Sequence, residues 1–283
     1  MSDNSTPPLC VEPEDSSSPA GVNVSMAFNV SRVCLLLPLS SFVLLLGYRQ
    51  WQQQRSFGSM SHADVLTCHN AALQLVCSLG TAAYVYGTYR EILCLQVSGW
   101  WISWMVLCGE IAFHLLTCVE RYLAVVHPVL YRALKSERGV RIRNVSIVCA
   151  WLLCVMYSTA ASCFKADFHM QVLCVLGLSL LVVSFCSVSV LRALLGPGPG
   201  ERERVDPVKR RAFVSVMAIT AVLWLWFVGL VVGFTLSLSF QCSHLSLLLR
   251  ASAYWFMMPG SLVLPVLYLH RTGQIRCSRN RGE

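Results

Sequence analysis

Seven stretches of this chain are apolar enough and long enough to cross a lipid bilayer, and few folds can accommodate that. They run Val33–Tyr48, Ala63–Gly87, Val97–Val119, Val145–Cys163, Gln171–Leu195, Ala212–Leu238 and Leu245–Leu269. A hydrocarbon layer of about 30 Å takes about 20 helical residues to span. The first stretch is the shortest. It either extends back through Ser25–Ser31 or ends with Arg32 snorkelling to the membrane surface. In lipid only helices and closed barrels satisfy the backbone, and these continuous runs do not alternate as barrel strands do. The expected fold is an all-α integral membrane protein, a seven-transmembrane-helix bundle with the lipid bilayer as its solvent. Charged residues make up 13% of the chain and hydrophobic ones 55%, with mean hydropathy +0.59. A soluble domain carries roughly twice that share of charge, about 25%.

Basic residues set the orientation. Eighteen of the 22 Lys and Arg follow the first, third, fifth and seventh stretches, and only Arg32, Arg90, Lys165 and Arg250 lie on the other side. Basic residues near helix ends stay cytoplasmic, so the N-terminus is expected outside and the C-terminus inside. The net charge of +8 is then a topology signal and gives no support to nucleic-acid binding. Residues 1–30 read as an extracellular segment, 31–271 as the helical domain and 272–283 as a short cytoplasmic tail. The first segment lacks a basic region followed by an apolar one, so no cleaved signal peptide is expected. Asn4, Asn23 and Asn29 each open an Asn-x-Ser/Thr glycosylation triplet on the outer side.

Local motifs carry the functional reading. The cytoplasmic end of the third stretch reads Glu120-Arg121-Tyr122-Leu-Ala-Val-Val-His127-Pro128-Val-Leu-Tyr131. Trp151 lies in the fourth stretch, Leu223-Trp224-Leu225-Trp226-Phe227 in the sixth, and Leu264-Pro265-Val-Leu-Tyr268 in the seventh. The third-stretch run resembles the E/DRY signature and second cytoplasmic loop of rhodopsin-like (class A) G-protein-coupled receptors, above all their purinergic, protease-activated and chemokine branch. The other motifs are similar to that family's helix-four tryptophan, helix-six Cys-Trp-x-Pro-Phe switch and helix-seven Asn-Pro-x-x-Tyr motif.

The resemblance implies a plasma-membrane receptor that converts binding of an extracellular ligand into activation of a heterotrimeric G-protein. Its coupling machinery would comprise Glu120, Arg121, Tyr122, Trp224, Pro265 and Tyr268, with Asp206 as the acidic partner at the base of helix six. Asp206-Pro207 also reads as an ordinary helix start, with Asp as N-cap. The family's helix-one asparagine, helix-two aspartate, helix-five and helix-six prolines and helix-seven asparagine are absent, and Leu75, Trp226 and Leu264 stand at three of those positions. The alternatives are a receptor-shaped protein that no longer signals and a seven-helix transporter. Intramembrane charge concentrated on the third stretch argues against the transporter.

The ligand site is expected in the outer half, among Trp100, Trp101, Ser103 and Trp104, His169, and Arg250, Tyr254 and Trp255. Ser103 occupies the position where amine receptors of the family carry an aspartate, so an amine ligand is not expected. Arg250 beside aromatic residues suits an anionic or lipid-like ligand, because an Arg fork pairs with carboxylate or phosphate. Glu110 lies eleven residues before Arg121, about 16 Å inward along the helix. It is the acid placed to take over the missing helix-two centre, with His114 and Ser261 as candidate partners. The family's outer disulfide would join Cys94 to Cys163 or to Cys174. Cys277, flanked by Arg276 and Arg279, has the setting of a palmitoylated cysteine. No metal-ligand cluster, cofactor motif or nucleophile motif is present, so no enzyme is expected.

Overall fold

The computed structural model describes residues 19–54, 61–134, 136–163, 168–195, 207–239 and 244–272. These residues are almost entirely helical, with no strand among them. Seven crossings form one bundle. They are α1 (Pro19–Gln54), α2 (His62–Tyr89), α3 (Leu93–Val126), α5 (Glu137–Cys163), α6 (Phe168–Leu195), α7 (Pro207–Ser239), and a composite seventh. The composite joins α8 (His244–Ala253) through a 3-10 turn, Tyr254–Met257, to α9 (Met258–Arg271). The short helix α4 (Pro128–Ala133) lies between α3 and α5.

The chain explains these boundaries locally. His127 precedes a proline, which drives it out of the α region (φ −126°, ψ 66°), and α3 stops there. Pro128, pre-set for a helical first turn, then opens α4. Pro259 at the head of α9 cannot donate to a carbonyl one turn back, and the chain takes up that defect in the preceding 3-10 turn. Between α2 and α3 the connection is only Arg90–Ile92, made possible by a positive φ of 56° at Glu91. The first crossing settles its open alternative by extension. It runs back to Pro19 and takes in Asn23 and Asn29, and Phe28 packs edge-on to Trp255 at 5.7 Å.

Six of the crossings are apolar enough to read as membrane spans on hydropathy alone. The remaining one, α2, is 28 residues long, about 42 Å, and ample for the bilayer. Its lower hydropathy has a cause: Thr67, Asn70, Gln74, Ser78 and Thr81 form a buried polar stripe at helical spacing. Apolar side chains cover the outside of the bundle. Leu45, Met156, Leu181 and Phe185 face outward, as a hydrocarbon solvent requires and water would not permit. A contiguous apolar core runs through α2, α3, α5, α6, α7 and the seventh crossing, including fully buried Phe113, Leu223 and Trp226.

Where α2 meets α3, the two backbones nearly touch. A Cβ added to Gly99 would fall 2.5 Å from the Tyr84 amide nitrogen and 2.6 Å from the Gly80 carbonyl oxygen. Small residues at such crossings let membrane helices approach and recover packing that the hydrophobic effect does not supply in lipid.

Candidate functional site

Polar groups inside the bundle form a chain of stations from the outer half to the cytoplasmic end of α3. At mid-depth stands Glu110, fully buried on α3. The Gln74 side-chain amide on α2 and the Ser261 hydroxyl on α9 both donate to its Oε1. One carboxylate thus ties three helices together. Its Oε2 has no hydrogen-bond partner among the described residues. His114, one turn closer to the cytoplasm, is also fully buried. Ser261 was among the expected partners of Glu110. Gln74 was not, although its place in the α2 polar stripe is visible in the sequence.

Towards the outer side lies a cavity of about 140 Å³. Phe28 and Arg32 of α1, Trp100, Ser103 and Trp104 of α3, and Tyr254 of the 3-10 turn all line it. Trp104 stands edge-on to Trp100 at 5.4 Å and to Tyr254 at 6.2 Å. Ser103 donates to the Gly99 carbonyl at 2.7 Å and lies 3.1 Å from the Thr81 hydroxyl. Four of the expected ligand-site residues, Trp100, Ser103, Trp104 and Tyr254, are therefore brought together. Trp101 packs instead on the apolar core, its carbonyl accepting from the Ser158 hydroxyl at 2.5 Å. His169 and Arg250 lie on described helices, α6 and α8, but their side chains are outside the described residues.

With α1 extended, Arg32 takes the other of the two expected courses. It does not snorkel to the membrane surface: only 4% exposed, it points inward and lines the cavity. The helix extends thirteen residues beyond it towards Pro19, which places it below the outer end of α1 and out of reach of the surface. Asp64 on α2 is buried as well and is paired with Arg271 at the end of α9. Buried charge within the crossings is thus found on α1 as well as on α3, while the Asp64–Arg271 pair closes the ends of α2 and α9.

The inner end of α3 carries Glu120, Arg121 and Tyr122, the residues expected to serve in coupling. Arg121 Nε lies 3.4 Å from Glu120 Oε2, as expected. Tyr131, from α4, donates its hydroxyl to Glu120 Oε1 at 2.8 Å. Burial and the adjacent Glu120 carboxylate push the Tyr131 phenol well above the usual tyrosine range. Tyr122 contacts His127 Nε2 at 3.1 Å and packs against Phe185 of α6. Tyr268 is buried against Val43 and Ala71 and donates to Gln50 Oε1 at 3.1 Å, joining the seventh crossing to the first two. Pro265 and Leu264 are buried beside it.

Trp224 is not with them. It is 47% exposed on the outer face of α7, with its indole nitrogen 3.4 Å from the Ser184 hydroxyl. Residues two apart on a helix point about 200° away from each other, so only one of Trp224 and Trp226 can face the core. That one is Trp226, fully buried.

Asn23 is exposed, whereas Asn29 is half-buried on α1 and lines the cavity. Cys94 is an exposed free thiol on the first turn of α3. Cys163 ends α5 with its side chain outside the described residues, so its pairing with Cys94 rests on the resemblance alone. Asn4, Asp206 and Cys277 lie outside the described residues.

No family model matches the chain. Among curated proteins it is similar to human "G-protein coupled receptor 35", 28% identical over 237 residues, which cover 77% of this chain and 72% of that receptor. The likeness extends over most of both chains, and the relative is a receptor. Taken with seven helical crossings, a basic inner face and a Glu-Arg-Tyr run paired at the inner end of α3, it supports a multi-pass plasma-membrane protein similar to the rhodopsin-like G-protein-coupled receptors and divergent from them.

Proposed function

We propose that this chain couples an extracellular ligand, bound in the outer half of the bundle, to activation of a heterotrimeric G-protein at the inner end of α3. The observation that carries the reading is the Arg121–Glu120 pair, held from the side by Tyr131. Arg121 is the cation at that end of α3, and its ionic partner among the described residues is its own neighbour in sequence. A G-protein contact can take the place of that partner, because a guanidinium pairs with any acceptor presented in its plane. The ligand shifts the population between two helix packings, and in the signalling one the inner ends separate and free Arg121. Glu110, joined to α2 and α9, sits between the ligand cavity and this inner end and links the two.

The absent prolines of helices five and six and the outward-facing Trp224 favour a second reading, a receptor-shaped protein that does not signal. Second-messenger output in cells expressing the wild type and Arg121→Ala at equal surface density separates the two. Coupling predicts wild-type output above untransfected cells and its loss in the variant. Equal output from both would leave Arg121 outside the coupling machinery.

A further inference from the structure

Arg32 is the least expected charge in the bundle. Its Nε and Nη2 have no hydrogen-bond partner among the described residues, and the guanidinium lies against the Cys77 thiol. Among the described residues no carboxylate stands within ion-pair distance of it. Glu110 is close enough to act on it electrostatically, but the hydrogen bonds of that carboxylate among the described residues come from Gln74 and Ser261. A guanidinium buried without a counter-charge is costly, and its natural complement is an anion presenting two oxygens in one plane.

The cavity that Arg32 lines supplies the rest of a site. Its 140 Å³ is about ten times the 10–15 Å³ that holds one water, which suits a compact organic molecule and excludes a long lipid chain. No acidic residue lines it among those described. Trp104 stands edge-on to both Trp100 and Tyr254, and the three rings make an aromatic wall of the cavity. Ser103 and Asn29 add neutral hydrogen-bonding groups at the wall. A few convergent polar groups in a mostly apolar pocket are the general form of a small-molecule site.

We propose that this cavity binds a compact aromatic carboxylate, with the carboxylate held in a fork by Arg32 and the ring packed among Trp100, Trp104 and Tyr254. The inference names the ligand class of the receptor described above and rests on that reading only for what binding triggers. It moves the anchoring cation from α8, where Arg250 was expected to serve, to α1.

The test is binding, measured without a G-protein. Full-length protein in lipid nanodiscs is dialysed to equilibrium against labelled 2-naphthoate, with 2-naphthamide as the uncharged probe of the same shape. The wild type should bind the acid saturably, and the amide should compete at least about tenfold more weakly. Arg32→Gln should weaken acid binding by at least about tenfold and abolish the preference for acid over amide. Arg32→Lys, which keeps the charge and loses the fork, should fall between the two. Thermal unfolding of Arg32→Gln without any probe reports folding separately. A variant that melts at or above the wild-type temperature agrees with an uncompensated charge, whereas one that melts lower makes Arg32 the internal partner of Glu110 and overturns the proposal. Acid binding within twofold of wild type in Arg32→Gln, equal binding of acid and amide, or no saturable binding of 2-naphthoate by the wild type would each overturn it too. A failure of coupling through Arg121 leaves these binding results untouched, so the two readings fail separately.

Discussion

Glu110 joins three helices through a single carboxylate. A charged residue at the centre of a membrane helix costs about 3 kcal/mol by insertion scales, so its place there needs partners or a task. Gln74 and Ser261 are the partners, and both converge on one oxygen while Oε2 is left for a proton or a cation. Glu110→Gln keeps the shape and the hydrogen bonds but removes the charge. Basal signalling of that variant, or its response to sodium and pH, is expected to differ from wild type at equal surface expression. Identical signalling across both variables would make Glu110 a structural tie alone. Tyr131 gives a second test at this scale. Its raised pKa means that the phenol keeps its proton, and the bond to Glu120, at every pH below the unfolded tyrosine value of about 10. That contribution is lost only as pH climbs above this value. Tyr131→Phe should therefore destabilise the protein by about 1 kcal/mol, equally at pH 6 and pH 9, in detergent unfolding. A loss that vanished at pH 9 would contradict this assignment.

Among the elements, α2 departs furthest from what hydropathy suggests. It is polar where it faces α1, α3 and α9, because it carries the bundle's internal stripe of Thr67, Asn70, Gln74, Ser78 and Thr81. Its length and that stripe were both legible in the sequence. Which acid the stripe would meet was not, since a helical wheel gives a face and no partner. The inward turn of Arg32 escaped notice for a related reason. Its direction depends on how far α1 continues, and Pro19–Ser31 is polar enough to read as an extracellular segment. Trp224 and Trp226 show the limit of motif alignment. The motif is recognisable, yet with tryptophan in place of proline the core position falls to Trp226. The close approach of α2 and α3 makes its own prediction. Gly99→Ala places a methyl group against backbone atoms that cannot swing aside, so a loss of about 1–3 kcal/mol is expected in thermal unfolding. Unchanged stability would mean that the helices lie further apart than described.

For the whole molecule, the fold and its orientation were the most legible features, because seven apolar stretches and eighteen basic residues on one side admit few other arrangements. The site was legible in part. The inner end of α3 and the aromatic wall of the outer cavity follow from motif and position, whereas Arg32, Gln74 and the Asp64–Arg271 pair arise only when helices are set side by side. The central claim is that binding at one end governs Arg121 at the other, and its inner half can be measured directly. Wild-type protein and Arg121→Ala in nanodiscs are each mixed with purified heterotrimeric G-proteins from every major Gα class, and the rate of nucleotide exchange is recorded. Exchange above the receptor-free rate is expected with at least one class for the wild type, falling to the receptor-free rate in Arg121→Ala. No wild-type acceleration with any class, or undiminished acceleration in the variant, would contradict it.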